Sequence, residues 1–301
     1  MNKRTIIFFA ILTAVIFIVV TNGHIISRAM LAHDTRFMYQ AISRTILRQI
    51  PKDKLDIANE LEFTNRYIYL NIQHYGNARD DGAGWMLLYG EAWCDSVSNI
   101  FIRLIAPLDI KGYLVFLRLP NGVSPHSVAY CTPGDISVRG IEYLQRNAIV
   151  VDPYNGIIYR TARSVFANPA QICNGLVKVP ENISDQKLFY CEMPALFASN
   201  SPISTQPAFK RWFYRNIFPR IPESWIKGYI QFALVINNKL EKAERMYYLA
   251  RLEQLFLNYH AAMRGYTDVI NRYPETMWGE LAAHWRDRIE LPLNRFPETG
   301  K

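Results

Sequence analysis

The first long apolar run of the chain stands at its amino terminus. Thr5–Val20 is a stretch of sixteen positions without a charge, nearly all of them Ile, Phe, Val, Leu or Ala. A bilayer core needs about 20 apolar residues, whereas the apolar part of a cleaved signal has about 7–15. The length therefore favours an uncleaved membrane anchor within residues 1–23 over a cleaved signal, which stays open as the alternative. Lys3 and Arg4 before the run predict that the remainder lies outside the cytoplasm, on the periplasmic side in a bacterium.

After this run, the apolar positions first recur with the period of a helix and then form short runs typical of strands. Helices are predicted over Ser27–Gln49, from Pro51 onward and over Cys94–Ile105. Strand-like runs then follow at Tyr113–Leu119, Ser127–Cys131, Ala148–Asp152 and Ile157–Tyr159. Helices followed by antiparallel strands indicate an α+β domain, because parallel βαβ units would alternate.

A stretch rich in Ser and Pro, Asn200–Pro207, marks a predicted boundary, and only helices are predicted beyond it. These helices are Lys239–Asn258, His260–Arg272 and Thr276–Leu291. The sequence thus divides into an anchor or signal (1–23), a helical segment (24–76), the α+β core (77–199), and a linker with an α-helical domain (200–301).

The composition limits the classes of protein that fit this pattern. The chain of 301 residues is 50% hydrophobic and 13% aromatic, which excludes a disordered or fibrous protein. Four cysteines are too few for a disulfide framework. The net charge of +8 is a moderate excess that does not require nucleic acid, so no nucleic-acid partner is predicted. No His, Cys and Glu spacing indicates a metal site and no glycine-rich loop indicates a cofactor, so neither is predicted.

Three residues carry a pattern that indicates nucleophilic chemistry. Cys94 stands where a loop passes into a predicted helix, and the partial positive charge at a helix N-terminus favours the reactive thiolate form of a cysteine. His126 opens the second predicted strand and Asp152 ends the third. Adjacent antiparallel strands bring an imidazole and a carboxylate together. The carboxylate then fixes the tautomer of the imidazole, and the imidazole holds the cysteine proton.

The segments around these residues resemble a known superfamily. Trp93–Ser96, Pro125–Val128 and Val151–Tyr154 are similar to the three signature segments of the transglutaminase-like superfamily. The resemblance covers about a quarter of the chain, roughly Asn77 to Tyr159. It implies a papain-like core, in which a helix bearing the cysteine packs on an antiparallel sheet.

The resemblance also implies an activity and the role of each site residue. Cys94 would be the nucleophile, His126 the general base and Asp152 the orienting carboxylate. The expected reaction is acyl transfer through a cysteinyl thioester on a peptide or protein substrate, with protease or amidase activity slightly favoured over transglutaminase cross-linking. The backbone N–H of Cys94 would be one oxyanion donor. The residue that supplies the second stays open among Gln73, Asn77, Trp85 and Tyr89.

A hypothesis of another class stands beside the enzyme. In it, the chain is a non-catalytic transglutaminase-like scaffold or binding module in a cell-envelope or polysaccharide-related assembly. The intact triad argues against this hypothesis, because a protein without catalytic function is free to lose it. A buried or blocked Cys94 would argue for it.

Partners are expected at two further places. The N-terminal helix is expected to anchor the protein in a membrane. The stretch Leu252–Ile289 resembles a tetratricopeptide-like helical hairpin, and such hairpins bind partner peptides. Because only about one and a half units are present, a helical cap or an oligomer contact fits this stretch equally well.

The oxidation state of the three other cysteines depends both on the cellular compartment and on where the fold places them. Cys173 and Cys191 are expected to form a disulfide outside the cytoplasm. Cys131 is expected to stay reduced in the core, five positions after His126 and on the opposite face of the strand, because odd separations point to opposite faces.

Overall fold

The structure is a computed structural model. It describes residues 3–33, 35–73, 83–117, 126–134, 143–144, 147–159 and 194–295. The predicted Cys173–Cys191 bridge and the oxyanion candidate Asn77 lie outside the described residues.

The helices take up most of the described chain. Their bounds are α1 Lys3–His33, α2 Thr35–Leu47, α3 Ile57–Asn71, α4 Ala83–Tyr89, α5 Cys94–Ile105, α6 Ala208–Trp212, α7 Glu223–Ile236, α8 Lys242–Leu255, α9 Tyr259–Arg272 and α10 Met277–Arg295.

One antiparallel sheet of five strands accompanies these helices. The strands are β1 Ile110–Leu117, β2 His126–Pro133, β3 Ile149–Asp152, β4 Ile157–Tyr159 and β5 Pro194–Ser199, in the spatial order β4-β3-β2-β1-β5. The α+β class is therefore confirmed. Strands β1 to β4 are sequential neighbours, as expected for short antiparallel connections. β5 is a strand that the sequence analysis missed. It pairs with β1 at the edge of the sheet, where a strand that begins with a proline is tolerated.

The chain forms two compact units. Of the described residues, those up to Met38 and those from Pro222 onward belong to one unit, and Tyr39–Ile221 form the other. The second unit contains the sheet with α3, α4 and α5. The first contains α1 and the helices α7 to α10.

The sequence of α5 explains why it lies on the sheet. Its apolar side chains recur at helical spacing and are buried, and α5 packs on β1 and β2. These side chains are Val97, Ile100, Phe101, Leu104 and Ile105. Gly112 of β1 permits close contact, because a Cβ at this position would lie 2.8 Å from side-chain atoms of Ile102. The face of α5 thus fixes the helix against the strands that carry the other predicted site residues.

The N-terminal region differs from the prediction. The apolar run Thr5–Val20 lies within α1, whose backbone leaves the helical region at Asn22 (φ −116°, ψ 15°). Among the residues that the structure describes, no helix combines the length and the apolar character needed to cross a bilayer. The predicted membrane helix is therefore not supported, and the location outside the cytoplasm stays a prediction.

Asn200, the residue after β5, joins the sheet to α5 by side-chain hydrogen bonds. Its Nδ2 donates to the carbonyl oxygens of Ile102 and Ile110, and its Oδ1 accepts from the backbone N–H of Gly112 at 3.1 Å. Asn200 is 7% exposed, so water cannot replace these partners at low cost.

We therefore expect Asn200→Ala to lower the free energy of unfolding by about 2–4 kcal/mol, because several buried polar groups lose their partner. The matched control is Asn216→Ala, since Asn216 is an exposed residue whose Nδ2 donates only to the carbonyl of Trp212. Urea unfolding of both variants tests this role. Equal, small effects of the two substitutions would contradict it.

A second pair of variants tests the packing of the helical unit. A Cβ on Gly265 of α9 would lie 2.7 Å from the Cβ of Ala250 of α8, whereas a Cβ on Gly228 of α7 would meet no described atom within 4 Å beyond its chain neighbours and the backbone of its own helix. We expect Gly265→Ala to destabilise the protein by about 1–3 kcal/mol through overpacking. Gly228→Ala should stabilise it by about 0.5–1 kcal/mol, because alanine is the better helix former. Urea unfolding measures both effects, and a stabilising Gly265→Ala would show that α8 and α9 are not in close contact.

Candidate active site

Cys94 is the first residue of α5. The preceding Trp93 has extended backbone (φ −76°, ψ 166°), and its carbonyl accepts the first helical hydrogen bond, from Val97, at 2.8 Å. The N–H of Cys94 has no acceptor within the helix, as for every first-turn residue. Cys94 is half-buried, and Trp93 beside it is 52% exposed. The thiol therefore lies at the positive end of the helix, with solvent close by.

The register of the sheet explains how His126 and Asp152 meet. In the antiparallel pair β2–β3, Ala129 lies opposite Val151. Tyr130 lies opposite Val150 in the same register, so the even-numbered residues of these two strands share one face. His126 and Asp152 therefore lie on that face, where a long side chain can span the distance between neighbouring strands.

These two side chains form a buried hydrogen-bonded pair. The Nε2 of His126 lies 2.7 Å from Oδ2 of Asp152. His126 is 2% exposed and Asp152 is fully buried. Nε2 is thus occupied by the carboxylate, which leaves Nδ1 of the ring for another partner, and Cys94 is close enough to interact electrostatically with the ring. The structure therefore brings together the three residues that the sequence predicted.

The electrostatics of the site favour a protonated His126. Burial of the ring opposes protonation, but the charge of Asp152 and the hydrogen bonds with Asp152 and Cys94 outweigh burial and raise the pKa of His126 to about 10. The imidazolium therefore persists at neutral pH. Since a protonated ring beside a cysteine favours the thiolate, the arrangement is suited to an imidazolium–thiolate pair.

The ring of Tyr154 packs edge-on against the ring of His126, with centroids 5.6 Å apart and an interplanar angle of 68°. Burial, followed by electrostatic interactions with Cys94 and Asp152, raises the pKa of Tyr154. Tyr154 therefore adjoins the whole group and helps to exclude water from the His126–Asp152 pair.

A hydrogen bond joins α5 to the strand that carries His126. Oγ of Ser98, one turn after Cys94, donates to the backbone carbonyl of Ser127 at 3.2 Å. Both residues are buried. This bond holds the N-terminal part of α5 next to the start of β2, and so sets the position of the thiol relative to the imidazole.

One oxyanion candidate lies against the segment before Cys94. The backbone N–H of Gln73 donates to the carbonyl of Gly90 at 2.7 Å, and the N–H of Ala92 donates to the carbonyl of Gln73 at 3.0 Å. The side-chain Oε1 of Gln73 is buried and has no hydrogen-bond partner among the described residues. The candidates Trp85 and Tyr89 lie within α4.

Cys131 is more deeply buried than Cys94. It is 1% exposed in β2, and burial raises the pKa of its thiol. Both cysteines are free, as predicted. The pairing of β2 with β1 runs without a register shift from His126 to Pro133, so Cys131 and His126 point to opposite faces.

Sequence reasoning missed one polar residue that contacts the group, Asn155. Its backbone N–H and its side-chain Nδ2 both donate to the carboxylate of Asp152. The signal was present in the turn sequence Asp152–Gly156, because an Asp at the start of a turn commonly accepts hydrogen bonds from the residues that follow.

In the part of the chain that the structure describes, no three His, Cys, Asp or Glu side chains come together to hold a metal ion.

Comparisons with known proteins do not assign this arrangement to a family or a function. No family model, no curated protein and no solved structure matches the chain.

Proposed function

We propose that this protein is a cysteine-dependent acyl-transfer enzyme in which Cys94, His126 and Asp152 form the catalytic triad. One observation carries the proposal: a half-buried cysteine at a helix N-terminus interacts electrostatically with a histidine whose Nε2 lies 2.7 Å from a buried aspartate. Covalent catalysis by cysteine requires a nucleophile, a base beside it and a group that orients the base, and these three residues can fill those roles.

In the proposed reaction, the thiolate of Cys94 attacks the carbonyl carbon of a peptide or carboxamide. A C–S bond forms, and His126 donates its proton to the nitrogen of the leaving amine as the C–N bond breaks. The resulting thioester is attacked by water, which gives one proton to His126; the C–S bond then breaks, which releases the acid and restores the Cys94 thiolate beside the protonated His126. An amine in place of water gives a new amide and makes the same site a cross-linking enzyme.

The developing oxyanion needs donors near the thiol. The N–H of Cys94 at the start of α5 is the first one that we propose. Gln73 is the second, because its backbone is paired with Gly90 and Ala92, directly before Cys94. The donor that Gln73 would supply is its Nε2 amide group.

The exposure of the site favours catalysis over the scaffold hypothesis. A binding module would have no need of a thiol that solvent can reach, and Cys94 is half-buried, next to an exposed Trp93. The exposed indole suits a substrate with an apolar or aromatic group beside the scissile carbonyl. Hydrolysis is the simpler outcome, because water needs no binding site of its own.

The family assignment forms part of the proposal. A cysteine-bearing helix packed on an antiparallel sheet with the histidine and aspartate on neighbouring strands is the arrangement that the transglutaminase-like resemblance implies. For the helices α8 to α10, we propose a tetratricopeptide-like role in binding a protein partner.

The reactivity of the thiols gives a test that needs no substrate. At pH 6, iodoacetamide should alkylate Cys94 faster than Cys131, by a factor on the order of 100, because His126 stays protonated there and Cys131 is buried with a raised thiol pKa. Peptide mass spectrometry measures both rates. In 8 M urea the two rates should become equal, and His126→Ala should remove most of the difference in the folded protein. A folded protein in which Cys94 reacts no faster than Cys131 would contradict the triad.

The aspartate can be tested through turnover. We expect Asp152→Asn to lower kcat by about 10³- to 10⁴-fold on a mixture of peptide amides, because the imidazole is then held in the wrong tautomer. Cys94→Ala should abolish formation of an acyl-enzyme in intact-mass spectra, and Cys131→Ala serves as the matched cysteine control. If Asp152→Asn kept full activity, His126 would not depend on the carboxylate and the proposed mechanism would be wrong.

A further inference from the structure

We propose that Asn155 is a positioning residue that fixes the carboxylate of Asp152 for its contact with His126. This inference rests on the proposed function for its effect on turnover. Its effect on the reactivity of Cys94 can be measured without any substrate.

Among the described residues, three hydrogen bonds hold the carboxylate, and Asn155 supplies two of them. Its backbone N–H donates to Oδ1 of Asp152 at 3.2 Å, and its Nδ2 donates to Oδ2 at 2.9 Å. The third comes from Nε2 of His126 to Oδ2 at 2.7 Å. Because both oxygens are engaged, a rotation of the carboxylate about its Cβ–Cγ bond breaks all three bonds.

The local fold holds Asn155 in place for this task. The backbone N–H of Asn155 also donates to the carbonyl of Asp152 at 3.3 Å, which closes a turn between β3 and β4 with Pro153 at its second position. Gly156 follows with φ of 71°, and a Cβ there would lie 2.9 Å from the ring of Tyr69. The turn is thus packed against α3 and cannot shift freely.

The side-chain amide has a role that the backbone cannot replace. Oδ2 of Asp152 is the oxygen that contacts His126, and Nδ2 of Asn155 is its other donor. Without Nδ2, this oxygen is held only by the histidine that it must orient. We therefore expect the loss of Nδ2 to loosen the imidazolium and, through it, to reduce the reactivity of the Cys94 thiol.

Two substitutions separate this role from a turn-forming role. Asn155→Ala removes the amide, and Asn155→Asp keeps the size and turn preference of the side chain but replaces the donor with a carboxylate. Asn147→Ala is the matched control, because Asn147 is exposed and its Nδ2 donates to the carbonyl of Tyr143 at 2.9 Å. The readout is the rate of Cys94 alkylation by iodoacetamide from pH 4 to pH 8, relative to the natural sequence at each pH.

At pH 7, we expect Asn155→Ala to slow alkylation about tenfold, and Asn155→Asp to slow it at least as much, because two like charges then face each other. The carboxyl group of an aspartate ionises near pH 3.9, and at a higher pH when a like charge lies beside it. Below about pH 5 the new carboxyl is therefore protonated and can donate to Oδ2. The relative rate of Asn155→Asp should recover as the pH falls, whereas that of Asn155→Ala should stay flat.

A purely structural role predicts another pattern, in which both variants lose thermal stability and the relative rates do not depend on pH. That result, or unchanged alkylation in both variants while Asp152→Asn slows it, would overturn the positioning role and leave the triad standing. If all of these rates behave as expected but no peptide or carboxamide is turned over, the proposed function fails and the positioning role of Asn155 remains.

Discussion

His126 and Asp152 are two ionisable side chains inside the protein core, joined at 2.7 Å. Withdrawing two charges from water costs several kcal/mol for each, and only good geometry with further hydrogen bonds repays this cost. Here the carboxylate has donors on both oxygens, from His126 and from Asn155. These donors come from β2 and from the turn after β3. The His126–Asp152 pair therefore forms only if β2 and β3 are neighbouring strands in this register, and the rest of the sheet has to be compatible with that pairing.

The helix that carries Cys94 is tied to this sheet near both of its ends. Ser98 bonds to Ser127 close to the start of α5, and Asn200 bonds to Ile102 close to its end. The apolar face between these two points is buried against β1 and β2. The proposed chemistry needs Cys94 and His126 to be placed to within a fraction of an ångström, and polar contacts at both ends of a packed helix provide such precision.

The helical unit relies on a different kind of buried polar group. Arg251 of α8 is fully buried, with its guanidinium 4.1 Å from the ring centroid of Trp285 and its Nη1 donating to Gln254 at 2.7 Å. The same oxygen of Gln254 accepts from the hydroxyl of Tyr266 of α9. A cation on an aromatic face, together with shared hydrogen bonds, fixes how α8, α9 and α10 pack on one another. No residue of this group takes part in the proposed chemistry.

The sequence by itself determined the local elements and the positions of Cys94, His126 and Asp152 at the ends of these elements. The helical period of Cys94–Ile105, the strand pattern up to Asp152 and the prolines at chain reversals are local signals, so they fixed the α+β order and placed Cys94, His126 and Asp152 at element ends. Only the tertiary structure decided the contacts between residues that are far apart in the sequence. β5 adds to the edge of β1, and Asn200 reaches back to α5. Gln73 lies beside Gly90, and Asn155 holds Asp152. These contacts carry no periodic signal, because each is a single polar pair or an edge pairing whose partner the local sequence does not specify.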